Sequence, residues 1–178
     1  MPGCVMSSRR SLGFTLVEVV VAIAAFAVAF SFLITVFFPA NRASVDPLLE
    51  MRSAELAQSY LEEILGKRFD ENNTLGSTLR CGSTGAPACS GSMAPDAGET
   101  RATYDDVDDY NDFDGLPDIP LDVFGNVRTE YLNYRVLVTV NYAGAEIGVA
   151  NGDAKRIQVT VISPIGNTIR VTAYRGNF

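Results

Sequence analysis

The chain has 178 residues, 47% of them hydrophobic, with 14 basic and 21 acidic residues and neither His nor Trp. The missing His removes the commonest general base, the Ser-His and Cys-His nucleophile pairs and most zinc sites. A net charge of −7 argues against nucleic-acid binding, which normally needs a basic patch.

Residues 1–13 are short and polar and carry Arg9 and Arg10. Positive charge beside an apolar segment holds that flank in the cytoplasm, so the remainder is expected to face outward. Residues 14–38 then form a run of 25 with one charge, Glu18. As a helix this run would span ~37 Å at ~1.5 Å per residue, enough for a bilayer core of ~30 Å. It is too long for the apolar core of a secretory signal peptide and ends at Pro39-Ala40-Asn41-Arg42 without a small-residue cleavage site. Cys4 precedes the run, whereas a lipoprotein cysteine would follow it. Ala22, Ala24, Ala25, Ala27 and Ala29 suit close helix packing in a filament, and equally suit ordinary membrane solubility. A carboxylate inside such a segment costs roughly 2.5–3.5 kcal/mol even on insertion scales. Glu18 lies in the first turn, where the helix dipole favours it and the bilayer surface is near.

Pro39 predicts a kink or an end to the apolar helix. Asp46-Pro47 reads as a fresh start, Asp as N-cap and Pro at the first helical position. Leu49, Leu56, Ala57, Tyr60, Leu61, Ile64 and Leu65 recur at three-and-four spacing, which predicts an amphipathic helix over 39–66 with Gly66 as C-cap. Residues 68–101 read as a long surface loop, rich in Gly, Ser, Thr and Pro. Within it, Cys81 and Cys89 favour a loop-closing disulfide in an oxidising compartment. Free thiols or a metal pair are the alternatives.

Residues 96–122 contain ten acidic residues and one basic residue, Arg101. Three readings compete for this stretch: a structured surface loop, a calcium site, and a partner-docking surface. Asp105, Asp106, Asp108, Asp109, Asp112 and Asp114 are the candidate calcium ligands, because Ca²⁺ takes six to eight oxygens. With Gly115 in the glycine slot, an EF-hand fails, since Tyr110 takes the first ligand position. Tyr104, Tyr110 and Phe113 argue for anchoring contacts rather than a bare loop. Period-two alternation then predicts strands at 131–142, 155–163 and 168–175, with Pro164-Ile165-Gly166-Asn167 as a tight hairpin. The expected fold is α+β: a long, interrupted N-terminal helix whose second half packs on a small antiparallel sheet in a head of residues 67–178.

Gly13-Phe14-Thr15-Leu16-Val17-Glu18, between a basic leader and an apolar run, resembles the processing site of type IV prepilins and pseudopilins. The resemblance implies that a prepilin peptidase cuts after Gly13 and methylates the new amino group of Phe14. It also implies that Glu18 neutralises the terminal amine of a neighbouring subunit during assembly. Asp46-Pro47-Leu48, Ala57-Gln58-Ser59-Tyr60-Leu61-Glu62-Glu63-Ile64 and Asp105-Asp106-Val107-Asp108-Asp109-Tyr110-Asn111 resemble minor pilins of mannose-sensitive haemagglutinin (MSHA) pilus systems. Here Asp112-Phe113-Asp114 intervene before Gly115. That likeness implies a pilin fold and a structural, non-enzymatic subunit. Its partners would be other major and minor pilins and an inner-membrane assembly platform. The precursor would sit in the inner membrane of a Gram-negative cell with a periplasmic head, then move to the pilus at the cell surface. A type II secretion pseudopilin is the first rival. An enzymatic or ligand-binding head on a signal anchor is the second.

Overall fold

The computed structural model describes residues 13–73, 79–112 and 115–177, without the side chains of 36–45. The chain divides into two compact units, Met1–Asp46 and Pro47–Phe178. The leader residues 1–12, with Cys4, Arg9 and Arg10, lie outside the described residues.

Helix α1 runs Leu16–Leu65. The expected break is not seen: Pro39, Asp46 and Pro47 all fall within helical backbone, so Asp46 caps no second helix. A proline removes one backbone donor and its ring crowds the preceding turn, but neither effect here ends the element. Leu16–Thr35 is long and apolar enough to cross a membrane, and its side chains are exposed. Two of its hydroxyl side chains bond back to the helix itself. Ser31 donates to the Ala27 carbonyl at 2.8 Å and Thr35 to the Phe32 carbonyl at 2.9 Å, which suits a medium that supplies no hydrogen bonds.

In the second unit the last turns of α1 bury Leu56, Ala57, Tyr60 and Ile64. Leu49, Leu61 and Leu65 are partly buried around them. The helix ends at Leu65 as its pattern predicts. Gly66 is not a left-handed C-cap, since it is absent from the residues with positive φ; its N–H instead reaches the Glu62 carbonyl at 3.2 Å.

Three strands, β1 (Arg135–Tyr142), β2 (Ala154–Ile162) and β3 (Thr168–Gly176), form an antiparallel sheet in the order β1-β2-β3. Val138 pairs with Val159, and Val159 with Val171. The alternating residues Val136, Val138 and Val140 of β1 and Ile157, Val159 and Val161 of β2 face the helix core. The architecture is α+β, and its layout fits a type IV pilin-like fold. β1 begins four residues later than its alternation predicts. Asn133 takes a left-handed φ of 67°, which a short polar side chain tolerates. This turn ends the extended run. It leaves Tyr134 buried edge-on against Tyr131, with ring centroids 5.6 Å apart. The β2–β3 turn closes as expected, with Gly166 at φ 88° and the Ser163 N–H donating to the Asn167 carbonyl at 2.8 Å.

Candidate functional site

Two regions carry the candidate residues, and each has its own geometry. At the N-terminus, Gly13, Phe14 and Thr15 precede the helix and are exposed, Phe14 to 80%. Thr15 Oγ1 accepts the Glu18 N–H at 3.3 Å and the Thr15 carbonyl accepts the Val19 N–H at 3.2 Å. Thr15 is therefore the N-cap, and Glu18 sits three residues on, where a capping-box acid belongs. The spacing Thr-x-x-Glu was the available signal for this cap. Among the described residues nothing lies within 4 Å of a Cβ added at Gly13, and its φ is not positive. The fold therefore places no demand for glycine there.

The centre of the acidic stretch is interior. Asp106, Asp108, Asp109 and Tyr110 are buried. Asp109 Oδ2 accepts the N–H groups of Asp105 and Asp106 at 2.9 and 3.0 Å. Asp106 Oδ1 in turn accepts those of Asp108 and Asp109 at 2.7 and 3.3 Å. These carboxylates substitute for secondary structure in a segment too irregular to satisfy its own backbone. The segment also extends the sheet. Asn111 Oδ1 accepts the Val140 N–H at 2.8 Å, Asp112 accepts that of Val138, and Asp118 exchanges both backbone bonds with Val136 at 2.7 and 2.8 Å. Burial, and then Asp109, push Asp106 up to about 6.

Among the six candidate calcium ligands, Asp105 and Asp109 share a ligand-sized cluster, with Glu99 as its third member. Burial, and then the hydrogen bond to Asp109, push the Glu99 carboxyl up to about 7. Asp105 pairs with Arg68, whose hydrogen bond holds that carboxyl below its usual range. Asp108 turns to Lys155, and Asp106 and Asp112 are spent on backbone N–H groups. Asp114 and Phe113 lie outside the described residues. The set does not gather into one six-oxygen cage among the described residues.

Arg101 is the one base of the stretch. It binds Glu63 at 2.9 Å and lies 4.5 Å from the Tyr110 ring centroid and 5.1 Å from that of Tyr60. Tyr110 donates to Glu63 Oε1 at 2.8 Å. Aromatic anchoring thus holds the acidic segment to α1, as the tyrosines in it suggest.

Cys81 and Cys89 are disulfide-bonded. The loop they close is less free than its composition implies. Asn177 Nδ2 donates to the Cys81 carbonyl at 3.0 Å, and Arg80 donates to the Asn177 carbonyl at 3.1 Å. Phe69 and Asp70, at the start of the expected surface loop, are buried. Sequence reasoning passed over Asn177 and Lys155. An unremarkable Asn and a lone Lys at a strand end offer no pattern to find.

The family described as "Prokaryotic N-terminal methylation motif" matches residues 8–34. The chain carries a type IV pilin-like prepilin signal. No curated protein and no solved structure matches the chain. The prepilin signal spans the Gly13-Phe14 junction, the Thr15 cap, Glu18 and most of the exposed apolar helix. It supports a type IV pilin- or pseudopilin-like protein that is processed by a prepilin peptidase and assembles with other pilins. The apolar helix fits membrane anchoring of such a protein.

Proposed function

We propose that the chain is a minor type IV pilin of MSHA type, a structural subunit that acts by assembly rather than by catalysis. One observation carries the reading: an exposed Gly13-Phe14 junction, one residue ahead of a capped apolar helix, within a methylation motif. A peptidase needs an extended, accessible bond, and helical backbone would deny it one. Cleavage after Gly13 creates an amine at Phe14, which is then methylated. Glu18 then meets the amine of a neighbouring subunit. In an apolar filament core such a pair is favoured, because an unpaired carboxylate there is costly. The head rides on the inner membrane facing the periplasm, and later stands in the pilus.

The test is the processing of Gly13→Ala in cells that produce prepilin peptidase. The variant should keep a full-length band while the wild type is shortened and carries N-methyl Phe14 by mass spectrometry. Equal processing of both would sink the cleavage claim. Membership of a type II secretion system is the second reading, since it would share the same stalk. Genes for a pilus ATPase and other prepilins beside this one favour the pilus, whereas genes for secretion components favour the pseudopilin.

A further inference from the structure

Lys155 is wholly buried at the start of β2 and donates to three acceptors. These are the Phe69 carbonyl at 2.6 Å, Asp70 Oδ2 at 3.0 Å and Asp108 Oδ2 at 2.7 Å. Its Nζ lies 4.3 Å from the Phe69 ring centroid and 5.3 Å from that of Tyr142. Asp70 is 0% exposed and Asp108 2%. The filament reading uses none of these groups.

The site is badly suited to a lasting ion pair. Two carboxylates face one ammonium, and Asp108 Oδ1 is buried with no hydrogen-bond partner among the described residues. A charged oxygen left so costs more than a neutral one. Aromatic rings exclude the water that would otherwise solvate the pair.

We propose that Lys155 and Asp108 condense into an isopeptide bond, with Asp70 as the acid–base group that assists it. The ammonium first passes one proton to Asp108 across the 2.7 Å hydrogen bond, leaving a neutral amine beside a carboxylic acid. The Nζ lone pair attacks Asp108 Cγ and the N–C bond forms. Asp70 takes a second proton from Nζ and returns it to the departing hydroxyl. The C–O bond breaks and one water leaves. The third proton stays on the amide nitrogen, with the Phe69 carbonyl as its acceptor. No oxidant or external co-reactant is needed.

The two carboxyls differ in the sense this division of labour requires. Burial pushes Asp108 up to about 7, which favours the electrophilic acid form. Burial also pushes Asp70 up, but Lys155 and the N–H groups of Asn72 and Ser90 hold it below the usual carboxylate range, so it remains the base. Neighbouring carboxyls held apart in this way take the roles of acid and base. The bond would tie β2 to the acidic segment across 47 positions of sequence. A subunit in a pulled fibre could not then lose that segment without breaking a covalent bond.

The test is intact-mass and tryptic-peptide analysis of the full chain, purified in detergent and reduced. The wild type should weigh one water less than its processed sequence. Trypsin should leave the Lys155 bond uncut and release a branched peptide joining Lys155 to Asp108. Lys155→Met should lack both features, and Asp70→Asn should form the link about 100-fold more slowly. A wild type at full mass, cut after Lys155 and yielding linear Asp108 peptides, would overturn the proposal. So would loss of water without the branched peptide, as succinimide formation would give. The wild-type result decides even if a variant fails to fold.

Discussion

Thr15 Oγ1 accepts the backbone N–H of Glu18 at 3.3 Å, so the residue that starts the apolar helix and the residue expected to serve assembly are bound to each other. The bond uses the Glu18 backbone and leaves its carboxylate unused by the cap contact. Structure and function therefore separate at this residue. Glu18→Gln should keep the helix start and membrane insertion but lose incorporation into filaments. Thr15→Ala should cost about 1 kcal/mol of helix stability and leave the charge in place. Immunoblots of membrane and sheared-surface fractions check both, and normal Glu18→Gln in the surface fraction would refute the charge role.

Gly13 and Gly144 make opposite predictions under the same substitution. Gly13→Ala has open space and should leave thermal unfolding unchanged while processing fails. At Gly144 an added Cβ would lie 1.9 Å from the Ala150 carbonyl oxygen. The obstacle is backbone, so Gly144→Ala should destabilise the head by at least about 3 kcal/mol, at the upper end of overpacking costs. Urea denaturation followed by circular dichroism measures the difference.

Asp106 should make stability fall as pH rises. Its carboxyl is held up to about 6 by burial, then by Asp109, against an ordinary 3.8. Between those values the unfolded side chain has lost its proton and the folded one has kept it. Stability therefore declines from about pH 4 to about pH 6. Asp106→Asn keeps an acceptor for the N–H groups of Asp108 and Asp109 without the charge. It should raise stability by up to about 3 kcal/mol at pH 8 and by almost nothing at pH 4. Denaturation midpoints at the two pH values check the sign.

Asp109→Ala tests the other half of this arrangement. It would strand the N–H groups of Asp105 and Asp106, at about 1–3 kcal/mol for each buried donor. If the acidic segment were merely a solvated loop, the same change would be silent in a urea titration.

Reduction of Cys81–Cys89 should lower stability by about 2–3 kcal/mol, given the short loop. Asn177→Ala should also loosen this loop, because Asn177 bonds to the Cys81 carbonyl and to Asn73. Denaturation with and without reductant measures both effects, and the Asn177→Ala penalty should persist after reduction.

The prepilin signal, the apolar helix, the amphipathic stripe at Leu56, Tyr60 and Ile64 and the three strands could all be read from local pattern. Each depends on neighbours a few positions apart: a charge beside an apolar run, a three-and-four repeat, an alternation of two. Tertiary structure decided what pattern does not encode. The helix continues through Pro39 and Asp46-Pro47, and the left-handed Asn133 shortens β1. Above all, the centre of the acidic stretch proved to be interior. Composition assigns carboxylates to water, because an unpartnered one is costly to bury. Asp106, Asp108 and Asp109 are buried because their partners are backbone N–H groups and a lysine 47 positions away from Asp108. The N–H groups lie two to four residues away along the chain, whereas Lys155 meets Asp108 only once the tertiary fold brings β2 beside this segment.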